Sequence, residues 1–434
     1  MPRAILAGVC TGQEHAFEVS MSELEDLALS CGIEPVRRMT QRLPWEDRST
    51  MVGPGKAEEI REMADAEEAD LVIFNNMLSP SQMLHLSGIL QTEVLDRTGL
   101  ILRIFADHAR TREARMQVEY ARLQYMLPRL QGLRRNLSRQ GGGSGSRSNK
   151  GAGEMQIELD RRHIERRMST LRKELGKISA SRDVQRKKRS RSSLPLVSMV
   201  GYTNAGKSTL MNCLIDTAGG DTDAVRDEEH RHVYVEDMVF ATLDTTVRKI
   251  TPKTGPAFLL SDTVGLINDL PTALVEAFHS TLEEALQADL ILEVTDCSDP
   301  EHEMHMEVTE KTLADLGAGK IPRIEVMNKC DQSEDPARAG SVIRENRIYI
   351  SAKDGCGIEA LTELVQEKLV GERICMQLLV PYADLADAEI IRRQGQVVKE
   401  EYTQEGLAME TWLDMDLLRR MRRHVSHPET RDAE

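Results

Sequence analysis

Gly201-Tyr202-Thr203-Asn204-Ala205-Gly206-Lys207-Ser208-Thr209 fits the pattern G-x-x-x-x-G-K-[ST], and its reading decides the fold. An apolar run over 194–200 precedes it with the character of a strand, and an apolar-periodic stretch over 209–215 follows with the character of a helix. In that setting the glycines let backbone N–H groups curl around phosphate oxygens. Lys207 supplies a point charge and Ser208 a hydroxyl for magnesium.

Outward from this loop, strand-like runs at 196–200, 247–251, 258–262, 290–294, 324–327 and 348–351 alternate with helical patterns. They predict a doubly wound α/β domain over 193–371, with the phosphate loop after its first strand. Asp262-Thr263-Val264-Gly265 follows one of these strands, which places Asp262 near the magnesium and the Gly265 amide near a terminal phosphate. The plainer reading is that a strand-ending Asp caps a turn. Asn328-Lys329-Cys330-Asp331 and Ser351-Ala352-Lys353 each follow a later strand. A carboxylate at 331 can accept both hydrogens of the guanine ring edge, which adenine does not offer, and the Ala352 amide can donate to the guanine oxygen. The three elements in this order favour GTP over ATP, and here the chain resembles the translation-factor-like GTPases.

A switch element is expected between Gly206 and Asp262, where Phe240-Ala241-Thr242-Leu243-Asp244-Thr245-Thr246 offers hydroxyls to magnesium. Thr242 is the first choice, with Thr245 or Thr246 as the fallback. After the D-x-x-G glycine, where many such GTPases carry glutamine, this chain has Leu266, which can neither orient nor polarise water, so unassisted hydrolysis should be slow. Asn204 occupies the place where a subset of similar GTPases holds a potassium ion, which would give it a catalytic part beside Lys207 and Gly265. The alternative is that Asn204 only shapes the loop.

On the N-terminal side, strand patterns at 4–9, 34–38, 71–74 and 93–95 alternate with helical patterns at 22–30, 57–64 and 81–90, implying a small parallel α/β domain over 1–110. Gly53-Pro54-Gly55-Lys56 lacks the second glycine spacing of a phosphate loop and reads as a helix start. Over 111–192 the pattern turns helical. Met116, Tyr120, Leu123, Leu127 and Leu130 form one apolar seam, and Ile157, Ile164, Leu171 and Ile178, seven apart, form another. Pro128 should kink or weaken the end of the first helix. A glycine-serine stretch running to Gly153 separates the two, so an antiparallel helical hairpin is expected, its second helix starting near Glu154 and its tip mobile and basic. The residues over 372–434 read as a small C-terminal α/β domain with a polar, disordered tail after Val425.

Composition bounds the function. The chain has 434 residues and is 40% hydrophobic, enough for two to four domains. Its seven cysteines show no C-x-x-C pair, which argues against a disulfide framework and a zinc site and fits a reducing, cytoplasmic setting. No signal peptide or membrane anchor is legible. The net charge of −15 hides an asymmetry, because residues 129–191 carry 19 Lys and Arg against 6 Asp and Glu. That segment is a candidate for contact with a phosphate backbone; the plainer reading is a solvated coiled coil.

The phosphate loop, Phe240-Ala241-Thr242-Leu243-Asp244, Leu95-Asp96-Arg97-Thr98-Gly99-Leu100-Ile101-Leu102 and Leu78-Ser79-Pro80-Ser81-Gln82 together resemble the HflX family of ribosome-associated GTPases, with the likeness running over about 4–412 and including Glu400-Glu401-Tyr402. The resemblance implies an N-terminal α/β domain, a helical hairpin, a GTPase domain and a small C-terminal domain. It implies binding to the ribosome, chiefly the large subunit and its RNA, and splitting of stalled or idle ribosomes by a monomeric cytoplasmic GTPase using GTP or GDP, magnesium and, through Asn204, potassium. Two other functions stay open: a GTP-gated ribosome-subunit binding or assembly factor with little turnover, which Leu266 favours, and an ATP-assisted RNA remodeller, which needs a separate adenine site.

The chain departs from the family pattern at three places. Gly151-Ala152-Gly153-Glu154-Met155-Gln156 replaces the usual G-P-G-E-T-Q, Thr245 replaces a proline, and an acidic, histidine-bearing insertion spans 217–237. The insertion reads as a disordered loop, with metal binding by Asp227, Glu228, Glu229, His230 and His232 as the alternative.

Overall fold

The computed structural model describes residues 1–139, 147–189, 194–218, 246–252, 255–263, 265–266, 287–333, 342–344, 346–370, 374–413 and 415–425. Phe240, Ala241, Thr242, Thr245 and Val264, the body of the acidic insertion, the glycine-serine tip over 140–146 and the C-terminal tail all lie outside these. The chain divides into two compact units, with the boundary after Ser179.

In the first unit, β1 (Arg3–Cys10), β2 (Glu34–Arg42), β3 (Leu71–Phe74) and β4 (Glu93–Asp96) form an all-parallel sheet in the order β2-β1-β3-β4. Apolar residues run almost unbroken through β1 and β3 because a parallel sheet is buried on both faces. α1 (Glu14–Ser30), α2 (Pro54–Ala66), α3 (Pro80–Leu90) and α4 (Arg97–His108) accompany it. Gly53-Pro54 is a helix start, as read: Gly53 caps α2 and Pro54 opens it, where its missing N–H has no helical partner to lose. α1 begins eight residues before the expected 22, and the sequence reading has no counterpart to α4.

Two of the family-like motifs outside the nucleotide domain turn out to be helix starts. In Ser79-Pro80-Ser81-Gln82 the Gln82 amide donates to Ser79 Oγ at 3.3 Å and the Ser79 amide donates to Gln82 Oε1 at 2.9 Å, a reciprocal capping box opening α3. In Asp96-Arg97-Thr98-Gly99 the wholly buried Asp96 caps α4 by accepting from the Gly99 amide at 2.8 Å.

α5 (Arg112–Arg139) packs against α3 and α4, and α6 (Arg147–Arg189) follows it. Arg112 pairs with Glu174 at 3.4 Å, and Glu119 pairs with Arg167 at 2.6 Å. Seven residues further along α5 the partner lies seven residues earlier on α6, so the hairpin is antiparallel. One expectation needs correcting. α6 starts at Arg147 rather than near Glu154, which puts Gly151 and Gly153 inside its first turns despite the cost of about 1 kcal/mol that glycine carries in a helix. α5 runs on past Pro128 to Arg139 with the proline inside it. The residues flanking the proline are anchored: Tyr125 Oη donates to Asp96 at 2.6 Å and Arg129 donates to Asp96 at 2.8 Å.

The second unit holds a seven-stranded sheet in the order β10-β11-β9-β8-β5-β7-β6, from β5 (Leu196–Gly201), β6 (Thr246–Ile250), β7 (Phe258–Asp262), β8 (Leu290–Asp296), β9 (Arg323–Asn328), β10 (Val342–Arg344) and β11 (Arg347–Tyr349). Pairing is parallel except where the edge strands β6 and β10 join antiparallel. β10 was not expected. Val197, Met199, Leu292, Val294, Ile324 and Val326 form the core of this sheet with Leu210, Met211 and Leu214 of α7 (Lys207–Ala218) and Ile358, Leu361 and Val365 of α9 (Ile358–Val370). Full burial of each such side chain contributes about 1.5–3 kcal/mol. α8 (His302–Asp315) lies between β8 and β9 in sequence. The chain leaves β5 for β6 and β7 on one side and for β8, β9 and β11 on the other, so the C-terminal end of β5 is the switch point where doubly wound folds bind ligands. A smaller antiparallel sheet follows, β12 (Ile374–Val380), β14 (Leu407–Leu413) and β13 (Gln396–Tyr402), packed on α10 (Leu385–Gln394) through Leu378, Ile391, Met409 and Leu413.

Candidate nucleotide site

The loop from Gly201 to Gly206 leaves β5 at that switch point and enters α7 at Lys207. Two glycines are required by their surroundings. A Cβ at Gly201 would collide with the Val294 carbonyl of β8, and Gly206 has φ +84° with the Asn328 amide against its Cα. Asn204, exposed at φ +59°, takes the left-handed conformation that Asn tolerates better than most residues, which fits a loop-shaping role.

Lys207 is buried and donates to the carbonyls of Gly201 at 3.0 Å and Tyr202 at 2.7 Å. Burial pushes its ammonium down to about 8, against the upward pull of Asp262. A phosphate held at this loop would add negative charge that favours the protonated form. Nucleotide affinity should therefore hold below about pH 8 and weaken as pH rises above it, with proton uptake on binding in the upper range. Calorimetry in two buffers of different ionisation enthalpy checks this, and an affinity flat between pH 7 and 9.5 contradicts it.

Ser208 Oγ donates to Asp262 Oδ2 at 2.8 Å, bringing the end of β7 against the first turn of α7. Asp262 is wholly buried and Thr263 donates to the Met199 carbonyl at 2.7 Å, so the strand end is fixed. Gly265, also buried, leads to Leu266. The Leu266 amide donates to Gly201 O at 3.0 Å, and its carbonyl accepts from Thr203 N at 2.8 Å. Leu266 thereby extends the phosphate loop as a short parallel bridge with its side chain 2% exposed, an anchoring part that its residue type does not announce.

On the other side, Asn328 ties two loops together. Its Nδ2 donates to Ala205 O at 2.8 Å and its Oδ1 accepts the Ala352 amide at 3.0 Å. Asp331, half-buried in a short turn over Cys330–Gln332, accepts from Ser351 Oγ at 2.8 Å. Lys329, in the left-handed region at φ +62°, pairs with Asp296 at 2.8 Å, and Lys353 is exposed. The described part of the expected constellation thus converges on the C-terminal ends of β5, β7, β9 and β11. Thr209 sits half-buried in α7. Two contacts escaped the sequence reading: Asp296, which ends a strand as Asp262 does, and His305 of α8, whose ring stacks on Tyr202 with centroids 3.9 Å apart. Nothing in the sequence marks His305.

Comparisons with known proteins extend beyond the loop. Residues 18–106 match the family described as "GTP-binding GTPase N-terminal", 108–189 "GTP-binding GTPase Middle Region" and 196–329 "50S ribosome-binding GTPase". The "GTPase HflX" of Caldanaerobacter subterraneus subsp. tengcongensis is 40% identical over 423 residues, 98% of this chain and 94% of that one. That of Escherichia coli K12 is 38% identical over 373 residues, 85% and 83% of the two chains. A GTP-binding protein from the archaeon Sulfolobus solfataricus, solved with GDP, is 24% identical with a TM-score of 0.44 over 85% of this chain and 99% of that one, a likeness too loose to inform the site. Two-fifths identity across nearly the whole of both chains, with three matching regions in order, covers the phosphate loop, the capped helix starts and the hairpin alike: this chain is a GTP hydrolase and belongs to the HflX family of GTPases.

Proposed function

We propose that this GTPase binds the ribosome, chiefly the large subunit, and uses GTP binding and hydrolysis to split or recycle stalled or idle ribosomes. The observation that carries the reading is the antiparallel hairpin of α5 and α6, whose basic stretch over 129–191 suits ribosomal RNA. The match of 196–329 to a family described as ribosome-binding supports it.

In this reading Lys207 and the loop amides hold the phosphates, the Gly265 amide meets the terminal phosphate, and Asn328 and Asp331 frame the guanine. Ser208 and Asp262 present two oxygen donors 2.8 Å apart, a hard donor set that fits magnesium, with Thr242 as a further ligand. Magnesium bound there would neutralise charge on the phosphates. The residues' own part is to fix that geometry: Asn328 couples the phosphate loop to the Ala352 loop, and Leu266 bonds to the phosphate loop on its other side.

With a buried leucine after Gly265, no side chain at that position orients water, so turnover depends on a partner. GTP hydrolysis under multiple turnover, with and without ribosomes, tests this directly. Stimulation by ribosomes is expected, and a rate that ribosomes leave unchanged favours the low-turnover assembly factor instead. Potassium is tested in the same assay. If Asn204 holds that cation against the phosphates, exchanging potassium for sodium should slow hydrolysis by about tenfold or more. Equal rates in both salts, or a potassium effect that survives Asn204→Ala, leave Asn204 with loop shaping alone.

A further inference from the structure

Beside the guanine-side loop lie two thiols that the nucleotide chemistry does not use. Cys297 follows the last residue of β8 and Cys330 sits two residues after β9. These strands pair in parallel with Asp296 opposite Asn328, and the Cys297 amide donates to Asn328 O at 2.9 Å, so the two side chains meet with their sulfurs 3.5 Å apart. Cys330 is fully buried and Cys297 is half-buried. Both are thiols in the structure, and 33 positions separate them in the sequence.

We propose that Cys297 and Cys330 are a modification site, a dithiol that hydroperoxides oxidise to a reversible disulfide, and that closing this bond loosens guanine-nucleotide binding. The effect on the nucleotide rests on the assignment of Asp331 to guanine; formation of the bond does not. Exposure sets the order of events. Cys297, the accessible sulfur, attacks the peroxide oxygen as thiolate, the O–O bond breaks, an alcohol leaves, and Cys297 becomes a sulfenic acid. The Cys330 sulfur then attacks Cys297 Sγ and displaces water. Two thiols and one hydroperoxide give one disulfide, one alcohol and one water; the sulfurs lose two electrons and the peroxide gains them. The hydrogen bond to Cys330, burial and the neighbouring Asp296 charge all hold the Cys297 thiol above its ordinary value, so the reaction is slow at neutral pH and responds to sustained excess oxidant.

The bond reaches the nucleotide site because Cys330 cannot move alone. A disulfide requires the sulfurs to close from 3.5 Å to about 2.05 Å. The Cys330 amide is bonded to Ile350 O at 3.1 Å and its carbonyl accepts from Ser333 Oγ at 2.8 Å, while Lys329 on one side is paired with Asp296 and Asp331 on the other with Ser351. Drawing Cys330 toward Cys297 therefore displaces Asp331 and weakens its charged hydrogen bonds to the base, each worth about tenfold or more in affinity. Faster GDP release by about tenfold is expected.

The experiment uses the full chain, treated with excess hydrogen peroxide, then alkylated under denaturing conditions and mapped by mass spectrometry, with release of a fluorescent GDP followed in parallel. Expected are a 297–330 linkage ahead of any involving the other five cysteines, faster GDP release, and reversal of both by dithiothreitol. Cys297→Ser should bind GDP like the reduced wild type and show neither effect. Absence of the 297–330 linkage, or its formation with GDP release unchanged, overturns the proposal. Asp331→Asn in reduced protein judges the guanine assignment separately, so the two failures are distinguishable.

Discussion

Asp331→Asn is expected to weaken GTP and GDP binding by about a hundredfold or more, because a site built to pair a polar edge penalises an unmatched partner heavily. In the proposed site the carboxylate would accept two hydrogens from guanine, whereas the amide keeps one acceptor oxygen and puts an NH2 donor in place of the other. Xanthosine triphosphate carries an acceptor at that position of its ring edge, so the variant should prefer it. The fold should survive, since Asp331 is half-buried in a turn and accepts from the hydroxyl of Ser351, a bond an amide oxygen can also accept. Competition of the two triphosphates against a fluorescent GDP reads the result, and unchanged GTP affinity removes Asp331 from the base site.

The second large effect concerns the hairpin. Replacing residues 139–153 by a short linker should leave intrinsic GTP binding nearly unchanged, because the phosphate loop, Asp262 and the 328–331 loop all lie elsewhere in the chain. Stimulation of hydrolysis by ribosomes should be lost. If about six RNA phosphates are contacted, binding of the intact protein should fall with salt at a log-log slope of about −4 to −5, and the replacement should flatten that slope. A shortened protein with the same slope and the same stimulation shows that the basic segment releases no counterions, and the role passes to the N-terminal domain.

Much of this molecule was legible because local chemistry and global fold agree. The buried inner strands of the two larger sheets appear as apolar runs, whereas edge strands such as β2 and β6 do not, and β3, at 71–74, begins and ends where its run does. The phosphate loop, Asp262, Asn328 and Ser351 could be placed because each follows such a run. What escaped depends on long-range contact or on punctuation left unused. α4 does have a signal, since Asp96 precedes an apolar stretch in the way an N-cap does, but that signal is weak beside the strand run that Asp96 also ends. That α5 carries Pro128 inside it between two anchored residues was not legible, because Tyr125 and Arg129 answer to Asp96, some thirty residues away. The glycines at 151 and 153 suggested a loop where the structure continues α6. Cysteine spacing excluded a disulfide framework but could not reveal that adjacent strand ends bring Cys297 to Cys330. His305 against Tyr202 was likewise invisible, because its stacking partner lies about a hundred residues away in the sequence.

The measurement that bears most directly on ribosome splitting is sedimentation of intact ribosomes with this protein through a sucrose gradient, in a non-hydrolysable GTP analogue and in GDP. With the analogue, separated subunits should appear and the protein should travel with the large one; with GDP, ribosomes should stay whole and the protein should remain near the top. Whole ribosomes and unbound protein in both nucleotides would contradict the proposed function.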